Sequence, residues 1–441
     1  MERRPAIGIS ESDILTAVAA NEKGEIFDLP GYAAAGMAGE DFFLLSKEET
    51  VETPYGSELM MLPDRSPIVY DLEKETFETL AANPYDGRED IFPVAVFNSP
   101  GYVNRYVCAH SNEKKADPLP LFSYGAAGFD GNSFRSAALL VDDEPRQDLR
   151  QMPVAEVKSG IRRMQDRYPS NRLMRHLENC ALVYGCPAGK NFFLKRYEAP
   201  LPTARTCNAD CVGCISLQKG DHVQSPQARI SFTPSAEEIA ETALEHITSV
   251  ANAVVSFGQG CEGDPLTASY VIEPALRMIR QETKAGTINM NTNAGLPDKL
   301  ERLFDAGLDS VRVSLNSTRK STYNTYFRPK GYSFEDVLKS IEIAGKMKKF
   351  VSLNLLNCPG FTDSMLEFDS LKRFLATYPV RMIQWRNMNF DPVYYTELMF
   401  KAGRKSPTVG VANMIKDIEK LFPHVMHGYF NPAKERYGTI N

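Results

Sequence analysis

The chain is short of several things, and each shortage excludes a class of protein. No apolar run approaches the roughly 18 residues that a membrane-spanning helix needs, so no transmembrane segment is predicted. The opening Met1-Glu-Arg-Arg-Pro-Ala-Ile7 lacks the apolar core of a secretory signal, and the expected location is the cytoplasm. There is no internal repeat and no low-complexity tract. Eight cysteines in 441 residues, three of them clustered, are too few and too unevenly placed for a disulfide framework.

What is present describes a globular protein with a full core. Hydrophobic residues make up 43% and charged residues 24%, and the length calls for two domains. Net charge is −6 but unevenly spread. Residues 1–150 hold 13 Lys/Arg against 27 Asp/Glu, whereas the remainder holds 37 against 29. That asymmetry predicts a boundary near residue 150 and argues against nucleic-acid binding by charge in the first part.

Residues 1–150 read as a small β-rich domain. Strands are predicted at Ile91–Phe97, Tyr102–Cys108 and Ser136–Val141, and the Gly-rich stretch Tyr124–Gly131 reads as a loop. Residues 151–199 read as a connector: a helical pattern over 153–180, then a hairpin pairing Ala181–Tyr184 with Asn191–Tyr197.

From about residue 200, strands and helices alternate. Strands are predicted at Thr203–Thr206, Asn252–Phe257, Thr287–Thr292, Ser310–Leu315, Phe350–Leu356 and Val380–Trp385. Helices separate the later ones, and Ser235 with Glu238 forms a capping box at the start of one of them. Such alternation implies an α/β fold with parallel strands and right-handed crossovers, a partial parallel (β/α)6 barrel over residues 200–400. Residues 401–441 form a tail with a helix over Val411–Leu421 that closes the barrel's open side.

The stretch that organises this half is Cys207-Asn-Ala-Asp-Cys211-Val-Gly-Cys214. Three thiols in eight residues converge only if the backbone forms a tight loop, and thiolates so gathered suit zinc or iron–sulfur. No fourth Cys or nearby His completes the set, and His222 shows no ligand pairing. The pattern fits a cluster with one iron open. Polar residues Gln259, Asn293, Ser314, Asn316, Asn357 and Gln384 stand at or near strand ends, the face where parallel barrels build their sites.

Loop, order and spacing together resemble the radical S-adenosylmethionine (radical SAM) superfamily over residues 200–400. The resemblance implies that Cys207, Cys211 and Cys214 ligate a [4Fe–4S] cluster whose fourth iron is chelated by S-adenosylmethionine (AdoMet). It further implies reductive cleavage to a 5′-deoxyadenosyl radical that abstracts hydrogen from a substrate, with flavodoxin or ferredoxin as electron donor. The turn Phe257-Gly-Gln-Gly-Cys-Glu-Gly-Asp-Pro265 is similar to the family's Gly-Gly-Glu-Pro turn and offers Gln259, Gly260, Glu262 and Asp264 to AdoMet. Asp264 keeps the register and Glu262 keeps the residue type. Asn293, Ser314, Asn316, Arg328, Asn354 and Gln384 fall where the family contacts AdoMet. Gly213 departs from the aromatic residue that many members place before the third Cys.

Cys358, after the fifth strand, is either a hydrogen donor to a substrate radical or a packed thiol. Cys108, Cys180 and Cys186 read as buried thiols, and Cys261 as a small filler in its turn. Trp385 and Arg386 alternate along the sixth strand, so one faces inward, and Arg386 or Asn389 is a candidate for substrate. The substrate itself is open between a protein or peptide and an RNA, with the acidic first domain favouring the former. A non-catalytic iron–sulfur or zinc protein using the Cys loop structurally is the alternative.

Overall fold

A computed structural model describes residues 11–112, 116–219 and 223–438, so His222 lies outside the described residues. Seven parallel strands form one curved sheet in which spatial order equals chain order: β1 (Glu198–Pro200), β2 (Val254–Phe257), β3 (Thr287–Thr292), β4 (Ser310–Leu315), β5 (Phe350–Asn357), β6 (Met382–Asn387) and β7 (Met426–Gly428). This is the partial barrel expected from the alternation, with one strand more, because the tail contributes β7 as well as its helix.

The first strand lies upstream of the predicted Thr203–Thr206. Those residues are coil, because the N–H groups of Thr203 and Ala204 donate to the Glu262 carboxylate rather than to a neighbouring strand. The helices fall close to expectation. Ser235 and Glu238 cap α1 (Ala236–Ser249) reciprocally, and Ser333 and Asp336 do the same for α5 (Phe334–Lys346). Between β2 and β4 lie α2 (Ser269–Glu282) and α3 (Pro297–Ala306), the latter started by Pro297 and stopped by Gly307 at φ +117°. A helix absent from the sequence reading, α4 (Lys320–Phe327), follows β4.

Strict alternation along the strands splits the barrel into two environments. Val255, Ile288, Met290, Val311, Val313, Val351, Leu353, Ile383 and Trp385 are buried against the helices. Each contributes about 1.5–3 kcal/mol of transfer free energy as an upper estimate. The opposite residues, Ser256, Asn289, Asn291, Arg312, Ser314, Ser352, Asn354, Gln384 and Arg386, face the barrel interior. Parallel strands covered on both sides usually read as continuous apolar runs, so a polar lumen marks a space built to hold something polar.

The N-terminal part is an antiparallel sheet of 13 strands. Tyr124–Gly131, predicted as a loop, contains the strand Gly125–Phe129, paired with Ile91–Phe97. Its glycine serves packing: a Cβ on Gly128 would lie 2.9 Å from the Cβ atoms of Ala34 and Leu15. The predicted hairpin at 181–197 is also corrected. The connector is three helices, Val154–Arg167, Arg172–Leu182 and Pro187–Phe193. Pro187 occupies the first turn, and Phe192 and Phe193 are buried in the shared core.

A separate two-stranded antiparallel sheet, Tyr102–Asn104 paired with Ala138–Leu140, meets the barrel at the C-terminal ends of β5 and β6. Asn387 Oδ1 accepts from Asn104 N (2.8 Å), Asn387 Nδ2 donates to Tyr102 O (2.9 Å), and Asn357 Nδ2 donates to Asn104 O (2.9 Å). Side-chain amides thus pair with the strand Tyr102–Asn104 as a neighbouring backbone would. Beside them Arg65 and Asp391, both nearly fully buried, form an ion pair at 3.3 Å.

Candidate active site

The Cys loop leaves β1 and crosses the mouth of the barrel, held from three sides. From α4, the carbonyls of Phe327 and Tyr326 accept Asp210 N (3.0 Å) and Val212 N (3.0 Å). From the end of β3, Asn293 Nδ2 donates to Asn208 Oδ1 (2.7 Å). From the turn after β2, Gly263 N and Asp264 N donate to Ala204 O (2.7 Å) and Thr206 O (3.0 Å). Cys207, Cys211 and Cys214 are all half-buried and free of disulfides. Burial, with Asp264 adding to it, pushes the Cys207 thiol up to about 11. Arg229 Nη2 lies 3.7 Å from Cys214 Sγ.

The glycine turn packs so closely on this loop that side chains are excluded. A Cβ on Gly263 would fall 1.9 Å from Thr206 O, and one on Gly258, at φ +78°, 1.7 Å from Asn291 O. Glu262 and Asp264, both carried as alternatives for AdoMet, are engaged by the protein itself. Glu262 Oε2 accepts from Thr203 N and Ala204 N (2.8 Å each), and Oε1 accepts from Gly258 N (2.6 Å) and Gln259 N (2.8 Å). Burial raises its pKa to about 7 while the four N–H donors pull the other way. Asp264 accepts from Asn293 N (2.7 Å), Leu266 N (3.0 Å) and the Thr292 hydroxyl (2.8 Å). These carboxylates shape the turn, and the surfaces they leave toward the mouth are backbone. Gln259 folds back onto Ser256 O (3.2 Å), and Gly260 abuts Gln227 and Ile215.

Inside the barrel, Ser314, Asn354 and Gln384 share one register row across β4, β5 and β6. Arg386 faces inward, its Nε donating to Asn354 Oδ1 (3.1 Å) and its guanidinium 3.4 Å from the Tyr429 ring centroid. Arg312 Nη1 donates to Gln384 Oε1 (2.8 Å), and Gln384 Nε2 donates to Asn431 Oδ1 (2.9 Å). Burial and the neighbouring Arg386 both lower the Arg312 pKa. Glu198, bonded through Asn431, brings a carboxylate to this network. Two guanidinium groups thus share one lumen, held mostly by neutral amides.

Residues 201–370 match the family model of the radical SAM superfamily. This chain carries a radical SAM domain. Members of the superfamily are enzymes. Among curated proteins, the chain is 26% identical over 201 residues to GTP 3′,8-cyclase of Listeria monocytogenes serotype 4b (strain CLIP80459), covering 44% of this chain and 54% of that protein. It is 29% identical over 118 residues to the FeMo cofactor biosynthesis protein NifB of Klebsiella pneumoniae, covering 26% of this chain and 25% of that protein. The chain therefore spans about half the length of the first relative and a quarter of the second. A solved radical SAM methyltransferase from Sphaerobacter thermophilus superposes with a TM-score of 0.37 at 15% identity, covering 54% of this chain and 68% of that one.

Five further residues singled out in the sequence lie around the radical SAM domain's mouth and core. Gly213 stands where an aromatic residue is common because Tyr326, from α4, already fills that space. A Cβ on Gly213 would lie 2.9 Å from Tyr326 Oη. Asn316 is buried and turned away from the mouth, with Nδ2 near Tyr395 Oη (3.1 Å) and Thr322 O (3.3 Å). Cys358 has no exposed surface; its thiol lies 3.9 Å from Thr396 Oγ1 and burial pushes it up to about 12. In this structure it is a packed thiol. Trp385 faces outward under the helices, whereas Asn389 Nδ2 reaches Gly213 O (3.5 Å) behind the Cys loop.

Arg328, at φ +47°, caps α4 as an exposed residue, one position beyond the Phe327 carbonyl that accepts from Asp210. Sequence reasoning missed Tyr326, Asn208 and Arg312. Tyr326 lacked any motif, Asn208 lay inside the Cys motif but was read only as spacing between thiols, and Arg312 was hidden inside a strand read only at its ends.

The donor set fits the expected cluster: three thiols on one loop, and a buried Asn208 Nδ2 with no partner among the described residues. An unpaired buried donor beside thiolates is what a bound acceptor would satisfy.

Proposed function

We propose that this protein is a radical SAM enzyme in which Cys207, Cys211 and Cys214 hold a [4Fe–4S] cluster and AdoMet lies between the Cys loop and the glycine turn. One observation carries the reading: a three-thiol loop at the C-terminal mouth of a parallel half-barrel, pressed onto a side-chain-free turn. When bound and reduced, the cluster and AdoMet supply a 5′-deoxyadenosyl radical for hydrogen abstraction. The chain's own contribution is positioning. Asn293 fixes the Cys loop through Asn208, and the backbone of Gly258–Gly260 offers carbonyls to an ammonium group. Ser314 and Asn354 line the interior below, and exposed Arg328, at the edge of the loop, is a candidate for a carboxylate.

Arg312 and Arg386 favour an anionic substrate, drawn into the lumen and oriented by fork-shaped donors. The two curated relatives bear different activities in their names, so likeness to them does not choose the substrate. The sheet of residues 11–150 walls the mouth beside β5 and β6 and is proposed to present that substrate. A flavodoxin or ferredoxin of the cytoplasm is the proposed electron donor. The test is anaerobic reconstitution with iron and sulfide, then AdoMet and dithionite. Formation of 5′-deoxyadenosine, lost on changing any one of the three Cys to Ala, supports the reading. A reconstituted protein that binds no iron, or that leaves AdoMet intact, refutes it.

A further inference from the structure

Behind the glycine turn, away from the three-thiol loop, a second set of metal-capable side chains comes together. His176 and Cys180 lie one turn apart on the helix Arg172–Leu182, and Cys261 sits in the turn after β2. Their ligand atoms all lie within 4.8 Å of one another, the only such trio among the described residues. Cys180 and Cys261 are buried, at 3% and 6% exposure, and His176 is half-buried. Cys186 opens the next helix. Its N–H donates to Cys180 O (2.9 Å), but its thiol is not one of the ligand atoms that converge within 4.8 Å.

The spacing is that of ligands sharing a single ion. A tetrahedral zinc ion, with Zn–S about 2.3 Å and Zn–N about 2.0–2.1 Å, sets an imidazole nitrogen about 3.5 Å from a thiolate sulfur. Here His176 Nε2 and Cys180 Sγ are 3.5 Å apart. A four-iron cluster binds each ligand at a different corner, so its ligands stand farther apart than ligands sharing one ion. We propose that His176, Cys180 and Cys261 form a zinc site of two thiolates and one imidazole. It would tie the helical connector to the glycine turn. Because Cys261 lies between Gly260 and Glu262, the ion would lock the turn that faces the Cys loop from the side opposite that loop. The proposal stands independently of the radical SAM reading, since it needs neither cluster nor AdoMet.

The full chain, purified anaerobically, is analysed for zinc and iron alongside a variant with Cys207, Cys211 and Cys214 all changed to Ala. About one zinc per chain is expected in both proteins, with iron lost only from the variant. His176→Ala and Cys180→Ser should each lower zinc content about tenfold or more. Should those variants fold poorly, cobalt(II) exchange into the unmodified chain gives the same answer. Thiolate-to-cobalt charge transfer and intense tetrahedral visible bands, with an X-ray absorption ligand count of two sulfurs and at least one nitrogen, support the site. Absence of zinc from the unmodified chain, a Cys180–Cys261 disulfide in the peptide map, or a count of fewer than two sulfurs would each overturn it.

Discussion

Replacing Glu262 by Gln changes one oxygen to an amide nitrogen at the point where four backbone N–H groups converge. Gly258 and Gln259 donate to one oxygen, Thr203 and Ala204 to the other. The glutamine carbonyl can satisfy one pair, so its amino group faces the other pair, donor against donor. Two hydrogen bonds to a charged acceptor are lost, about 1.5–3 kcal/mol each. Against this, the substitution removes the cost of burying a charge. The carboxyl rises from its ordinary value of 4.5 to about 7, a cost of about 3 kcal/mol once ionised. The terms partly offset, leaving a net loss of about 0–3 kcal/mol at pH 8.

The pH dependence is sharper than the mean. A carboxyl whose folded pKa exceeds its unfolded pKa stabilises the fold at low pH, and that contribution disappears as pH rises through about 7. Urea midpoints measured at pH 5 and pH 8 should therefore fall by less in Glu262→Gln than in the unmodified chain, by up to about 3 kcal/mol of unfolding free energy. Amide hydrogen exchange at Thr203, Ala204, Gly258 and Gln259 should accelerate in the variant. Identical pH slopes together with unchanged exchange at those four amides would refute the bracket role.

Three further outcomes follow from other contacts. His246 is buried and its pKa falls to about 4, so the unfolded chain takes up the proton first; stability drops as pH falls from 6.5 toward 4 by about 3 kcal/mol, and His246→Gln should remove that drop in acid titrations followed by circular dichroism. Gly213→Ala presses on Tyr326 Oη at 2.9 Å and should destabilise the chain by about 1–3 kcal/mol in thermal melts, with Tyr326→Phe restoring most of it in the double variant. Asp391→Ala leaves Arg65 as an unpaired buried charge and strips Leu119 N of its acceptor, so a loss of about 3–5 kcal/mol is expected by urea unfolding; a loss below 1 kcal/mol would mean that water reaches the guanidinium.

Much of the barrel could be read from the chain because local signals agreed with one another. The capping box at Ser235 and the strands Thr287–Thr292 and Ser310–Leu315 fall where patterning puts them. The failures have physical causes. Gly125–Phe129 was read as a loop because glycine favours loops, yet here glycine answers a packing limit set by Leu15 and Ala34, more than 90 residues away in the chain. The Cys loop was legible, since three thiols at that spacing have few uses. Its supports were not, because Tyr326 meets Gly213 only through tertiary packing. The polar lumen was present in Asn-Met-Asn and Arg-Val-Ser, but attention to strand ends passed over the alternation inside the strands. The convergence of Cys180 with Cys261 spans 81 positions and has no periodic signature.

The single tryptophan gives this molecule a built-in optical gauge. Trp385 is fully buried on β6, and its indole N–H donates to His427 Nδ1 at 3.0 Å on the adjoining β7, the rings nearly parallel. Emission from the whole chain thus reports one seam, where the final strand zips onto the sheet. A neutral imidazole leaves indole emission bright and an imidazolium quenches it. Burial holds His427 down to about 4, so intensity should stay level through mildly acidic conditions while that seam is closed. Detachment of the last strand would redden the light before the rest of the barrel came apart.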